Sequence, residues 1–214
     1  MLIHKIYSIF MNYFRSRRLK QLKQLIPAIN TPIRILDVGG DISYPWEALN
    51  TPAQVTILNI SLPEASKRDQ RYDYVQGDGC SLPYDDKSFD LIFSNSVIEH
   101  VGGWDRQIKF SREIMRVGKA FYIQTPNRKF FIEPHLIAPF IHWLPYKIER
   151  LLVRWLSIWG WVARPTQQYI DEFLLGTFLL DFKQIQNLFV NSEIYKEKFW
   201  GMAKSFIVVH SDGS

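Results

Sequence analysis

Asp37, Gly39 and Gly40 close a short apolar run made of Ile33, Ile35, Leu36 and Val38. An acid and two glycines at that point let the backbone turn sharply and let a ligand approach the main chain. Asn59, the triplet Gly77-Asp78-Gly79 and Ser94-Asn95-Ser96 stand at or near the ends of later apolar runs. Short polar side chains and bare backbone at such ends are the parts of a binding cradle. Groups able to move a proton are fewer. His135 follows Glu133 and Pro134, and His100 follows Glu99. Imidazole is the side chain whose unperturbed pKa suits proton removal near neutrality. His135 is therefore the first candidate for a general base, with Glu133 as its orienting partner, and His100 the second. The plainer reading of a lone histidine is a hydrogen-bonded structural residue. Glu99, His100 and Glu133 show no convincing ligand spacing, so no metal is expected.

These residues need elements that bring the run ends together. The stretch 33–38, Val55–Asn59, Tyr72–Gln76, Phe89–Phe93 and Ala120–Gln124 read as strands. Tyr44–Leu49 begins a first crossover helix, and Trp104–Val117 is a second helix stopped by Gly118. Alternating strands and helices imply a parallel sheet with right-handed crossovers. Leu179–Val190 is the last helix, and Glu193–Phe199 and Lys204–Val209 form a closing hairpin about Gly201. The expected fold is a single α/β domain over 1–214, a Rossmann-like open sheet of about seven strands with an antiparallel end.

In order and spacing, Asp37-Val38-Gly39-Gly40, Asn59, Gly77-Asp78-Gly79, the run Phe89 to His100 and the run Arg112 to Lys119 resemble the class I S-adenosylmethionine-dependent methyltransferases. The nearest likeness is to the group with the ubiquinone and menaquinone C-methyltransferases, over about residues 33–125. The resemblance implies S-adenosylmethionine as cofactor. It assigns Asp37, Gly39 and Gly40 to the donor's amino-acid end, and Asn59 to the ribose hydroxyls, where an acid is usual. Asp78 and Gly79 take the adenine, and Asn95 lies beside the sulfur. Asp41 and Ser43 stand where the family loop has further glycines. Singly, Asp37 can cap a turn, Asn59 can close an Asx-turn and Asp78 can be a loop acid. A nicotinamide enzyme would need Gly-x-Gly-x-x-Gly, which residues 39–43 do not supply.

Of 214 residues 47% are apolar and 22% charged, as in ordinary globular domains. The single Cys80 excludes an internal disulfide and a cysteine metal cluster, so a reducing, cytoplasmic setting is the simplest expectation. The net charge of +5 is uneven: residues 1–24 hold six cations and no acid, leaving the remainder near −1. A nearly neutral body argues against nucleic acid as partner. Residues 1–30 read as a basic amphipathic helix, either packed across the domain or lying on an anionic membrane. Residues 126–165, with eight aromatics and five prolines, read as a lid and substrate-binding insertion. The expected function is methylation, on oxygen, of a small-molecule or lipid- or glycan-linked acceptor, with peripheral contact to an anionic membrane. The alternative is an inactive, cofactor-binding partner protein, which the missing glycines and Asn59 favour.

Overall fold

The computed structural model describes residues 14, 16–24, 32–41 and 44–211. The expectations for the rest of residues 1–30 and for Ser43 lie outside the described residues. One sheet of seven strands organises the chain, in the order β3-β2-β1-β4-β5-β9-β8. These strands are β1 (Ile33–Val38), β2 (Ala53–Asn59), β3 (Asp73–Gln76), β4 (Phe89–Asn95), β5 (Gly118–Pro126), β8 (Glu193–Phe199) and β9 (Met202–His210). The first five pair in parallel, and β9 lies antiparallel between β5 and β8. Trp200 and Gly201 make the two-residue turn of the last hairpin with φ of 48° and 77°. Positive φ at both positions matches the right-handed twist of the strands it joins.

Alternation along the central strands divides the core. Ile33, Ile35, Leu91, Phe93, Tyr122, Ile207 and Val209 turn to one face, while Leu36, Val38, Ile92, Phe121, Ile123, Phe206 and Val208 turn to the other. The first face is covered by helix α1 (residues 16–24), through buried Leu22, and by Tyr44 and Trp46. The second is covered by α2 (Trp104–Val117) and α6 (Phe182–Leu188), through Phe110, Ile114, Ile185 and Leu188. Asp181 caps α6 with a reciprocal capping box to Gln184.

One local expectation changes. The first crossover holds a single 3-10 turn, Trp46–Leu49, where a helix was expected; Asn50 ends it in the left-handed region (φ 53°). Pro45 and Pro52 bracket the segment and keep a longer helix from forming. Gly118 ends α2 as expected; its φ is −94° and it is already the first residue of β5. A Cβ there would lie 2.4 Å from Ile92 Cγ1, so the glycine serves close helix-to-sheet packing.

Between β5 and α6 the chain leaves the sheet through a small hairpin, β6 (Ile132–Glu133) with β7 (Ala138–Pro139), then α3 (Tyr146–Leu156), α4 (Ile158–Ala163) and α5 (Gln167–Gly176). This excursion has its own core of Leu136, Ala138, Ile141, Val153 and Ile170, with Leu152, Trp159 and Phe173 against it. Because α5 contributes to that core, the excursion extends past residue 165. Its two ends are joined: Arg128 N donates to Leu180 O at 2.9 Å, beside a parallel bridge from Asn127 to Leu180.

Candidate active site

Register sets the ends of the parallel strands side by side. Val38 lies opposite Leu58, Asn59 opposite Gln76, and Asn95 opposite Gln124. The residues singled out in the sequence therefore meet at one edge of the sheet, the edge where open α/β sheets bind ligands. Gly39 takes φ +76° and donates its N–H to Leu58 O at 2.7 Å. A Cβ on Gly39 would lie 2.4 Å from Val97 Cγ2, and one on Gly40 would lie 2.3 Å from the Asp37 carboxyl carbon. At either position a side chain would force a neighbour to shift.

Asp37 lies buried beneath this loop and accepts a hydrogen bond from Trp46 Nε1 at 3.1 Å. Burial pushes its carboxyl up to about 8, against the pull of the Trp46 bond and with a further push from Asp41. Asn59 Nδ2 donates to Gly40 O at 2.9 Å, tying β2 to the glycine loop. One strand further out, Gly79 is wedged under the loop: a Cβ would meet Phe110 Cε2 at 2.8 Å and Val38 Cγ1 at 2.9 Å. Asp78 Oδ1 accepts from Cys80 N at 2.9 Å, and Arg106 Nη2 reaches both Asp78 oxygens at 2.9 and 2.8 Å. Burial raises the Asp78 carboxyl, but the Arg106 bond and the Cys80 N–H outweigh it and hold the group below its ordinary value.

On the other side of β1, Ser94 Oγ donates to Val38 O at 2.9 Å. Asn95 Oδ1 accepts from Arg18 Nη1 at 2.8 Å. Arg18 was missed as a site residue. It reaches from α1 to the end of β4, and Glu197 of β8 binds its Nε and Nη2 at 3.0 and 2.7 Å. Its side chain is 4% exposed, unusual for an arginine in a basic amphipathic helix. That burial was the one signal lacking in the sequence, where Arg17, Arg18 and Lys20 look alike.

A second cluster gathers beyond the ends of β4 and β5. Glu99 is wholly buried, and its Oε2 accepts from Thr125 Oγ1 at 2.9 Å. His135, between β6 and β7, sits 2.7 Å from Glu133 Oε1 through Nδ1 and 3.1 Å from His100 Nε2 through Nε2. Burial pushes Glu99 up to about 7, the nearby His135 opposing it. His100 is exposed as a residue, but partial desolvation of its ring, aided by His135, pulls it down to about 4. For His135 burial acts downwards too, but the Glu133 bond and the charges of Glu133 and Glu99 leave it above its ordinary value. Glu99, His100 and His135 offer ligand atoms within 4.8 Å of one another. The absence of metal-ligand spacing in the sequence did not anticipate this, because the insertion carries His135 back from 35 residues away to the β4 end.

A cavity of about 280 Å³ opens beneath the excursion, between α2, α6 and α5. Trp104, Gln107, Glu133, Glu149, Phe173 and Phe178 line it. It shares no lining residue with the strand-edge cradle, so the cradle and the cavity are distinct places.

Residues 36–120 match the model of the methyltransferase domain family. The match is to a methyltransferase domain and takes in 85 of the 214 residues. The matched stretch runs from β1 to the start of β5 and so carries the whole strand-edge cradle. A malonyl-[acyl-carrier protein] O-methyltransferase of Pseudescherichia vulneris is 27% identical over 155 residues, covering 67% of this chain and 61% of that protein. The chain thus spans less than two thirds of that relative's length. Among solved structures, the PH0226 protein of Pyrococcus horikoshii OT3 superposes with a TM-score of 0.55 at 16% identity, over 92% of this chain and 90% of its own. Haemonchus contortus phosphoethanolamine N-methyltransferase 2, in complex with S-adenosyl-L-methionine, gives 0.53 at 19% identity, over 85% and 38%. At these identities the likeness establishes the fold of the methyltransferase domain.

Proposed function

We propose that the chain binds S-adenosylmethionine and transfers its methyl group to an oxygen of a small-molecule or lipid-linked acceptor. The observation that carries this is the strand-edge cradle, in which two positions too tight for a Cβ lie over a buried carboxyl. Asp37, Gly39 and Gly40 would hold the donor's amino-acid end; a cationic ammonium there draws Asp37 to its charged form. Asn59 would take the ribose hydroxyls, Asp78 and Gly79 the adenine, and Asn95 would lie beside the sulfur. The bound donor supplies an electrophilic methyl on a sulfonium. The protein's part is mainly to fix the two reactants, an effect that reaches roughly 7–11 kcal/mol of a barrier. For a hydroxyl acceptor, His135 would take the proton at Nε2, oriented by Glu133 at Nδ1, with His100 beside it. A carboxylate acceptor needs no such base.

The acceptor class is supported by the surface of the excursion, proposed here as a substrate-binding insertion of a single domain. Trp143, Leu151, Trp155, Leu156 and Trp161 are each at least half exposed, with the cations Lys147, Arg154 and Arg164 exposed near them in sequence. Aromatic and aliphatic side chains with neighbouring cations suit the interface of an anionic bilayer, where a lipid-linked acceptor would be met on the cytoplasmic side. No helix among the described residues is long and apolar enough to cross a membrane.

Calorimetry with S-adenosylmethionine and S-adenosylhomocysteine tests the reading, and no heat at millimolar ligand rejects it. A second reading, an inactive cofactor-binding partner, draws support from Asn59 being engaged by Gly40 and Asp78 by Arg106. Binding without methyl transfer to any acceptor in a lipid extract would favour that second reading.

A further inference from the structure

The cluster of Glu99, His100 and His135 has a polar imbalance that protons alone leave in place. Glu99 Oε1 is buried and has no hydrogen-bond partner, although Thr125 satisfies Oε2. A buried carboxylate oxygen without a donor is costly. With its Nδ1–H directed to Glu133, His135 presents a bare lone pair at Nε2, 3.9 Å from Glu99 Oε1. If His100 donates its Nε2–H to that lone pair, Glu99 Oε1 still has nothing. If instead His135 carries a proton on Nε2 as well, that N–H points to His100 Nε2 and Glu99 Oε1 is again left without a partner.

We propose that Glu99 Oε1, His100 Nε2 and His135 Nε2 are the ligands of a divalent first-row transition cation of zinc type. Two imidazoles and a carboxylate are a donor set suited to such an ion, with a fourth position left for water. Nitrogens bound to tetrahedral zinc at about 2.0–2.1 Å lie roughly 3.3 Å apart. The observed 3.1 Å is within a few tenths of that; the Glu99 oxygen, 3.9 Å from His135 Nε2 and within 4.8 Å of the His100 ligand atom, must close by about half an ångström on His135 and by up to about 1.5 Å on His100. Glu133 on His135 Nδ1 is the outer carboxylate that a zinc-bound imidazole commonly carries; it fixes the ring and raises its basicity. One ion would satisfy all three atoms at once.

The ion would also fasten the excursion to the sheet, since Glu99 and His100 follow β4 whereas His135 lies between β6 and β7. With His135 Nε2 committed to the cation, no lone pair remains there for a proton. Metal occupancy and proton acceptance at His135 therefore exclude each other, and the ion would act as a stop on hydroxyl methylation.

The test is calorimetric titration of the full, chelator-treated chain with zinc chloride, with cobalt(II) chloride as a spectroscopic probe. The expected result is one equivalent of zinc bound, visible absorption of four-coordinate cobalt, and an affinity at least tenfold lower in His135→Ala and in His100→Ala. His100 is exposed, so its variant folds even if the buried positions do not tolerate change. Absence of stoichiometric zinc binding, or equal binding by wild type and His100→Ala, overturns the site. Because no methyl acceptor is involved, zinc binding and S-adenosylhomocysteine binding succeed or fail separately.

Discussion

At the level of single residues, the cradle is defined by what it cannot hold. Gly40→Ala sets a methyl 2.3 Å from the Asp37 carboxyl carbon, and something must shift. The expected outcome is at least a tenfold weaker S-adenosylhomocysteine affinity by calorimetry, with the far-ultraviolet dichroism of wild type. Asp37 itself makes a pH prediction. Its folded-state carboxyl titrates at about 8 and its unfolded one near 3.8, so between those values the folded chain holds the extra proton. Stability contributed by this group then falls as pH rises through that window. In ligand-free protein, Asp37→Asn removes this slope, so melting temperatures of variant and wild type converge at pH 4–5 and the variant gains relative to wild type towards pH 8. A parallel pair of curves would show that Asp37 is charged throughout. Asp37, Gly39 and Gly40 were legible as a sharp turn closing an apolar strand, and the structure has that turn. The engagement of Asp78 by Arg106 was not, since that pair joins residues 28 apart, and nothing in the spacing selects Arg106 over Lys109 or Arg112.

At the scale of elements, α1 is fixed to the sheet edge by one buried guanidinium. Arg18 joins Asn95 of β4 to Glu197 of β8, and Lys204 approaches the same carboxylate at 3.3 Å. Without Arg18, Glu197 keeps Lys204 and Ser205, so the cost falls below the roughly 3–5 kcal/mol of a buried charge left wholly unpaired. Arg18→Ala should lose about 1–3 kcal/mol in urea unfolding, as a lost buried hydrogen-bonded group does, whereas the exposed Lys20→Ala should change it little. The strands were legible from their apolar runs, and α2 came out with the expected bounds of Trp104–Val117. The excursion was harder. Ile148, Leu151, Leu152, Trp155 and Trp159 recur at the spacing of one helical face, but Ser157 interrupts it: its Oγ accepts from Gly160 N at 2.8 Å and starts α4. Leu152 and Trp159 turn inwards to Val153, leaving Ile148, Leu151 and Trp155 outside. Periodicity records that a stripe exists; which neighbour covers it depends on packing between helices.

For the whole molecule, the unevenness of the surface is the main finding. Most of the exposed large apolar side chains among the described residues lie between Phe140 and Phe178, on the excursion. Ring contacts continue the apolar surface from Trp143 through Phe140 and Phe131 to Trp200 at the hairpin tip, which is 82% exposed. If this surface seats on anionic lipid, the double substitution Leu151→Glu and Trp155→Glu should abolish co-flotation with phosphatidylserine vesicles. Thermal stability should stay within about 0.5 kcal/mol, as for other surface changes. Flotation equal to that of wild type would remove the membrane from the proposal.

The place of β9 has a consequence for biosynthesis. The second-to-last strand of the sheet is the last to be made, and it supplies Phe206 and Val208 to one core face and Ile207 and Val209 to the other. Until those residues leave the ribosome, β5 is a bare edge whose Phe121, Tyr122 and Ile123 have no cover on that side. Such an edge invites pairing with another nascent chain. A translation product stopped before Met202 is therefore expected in inclusion bodies, or bound to a chaperone.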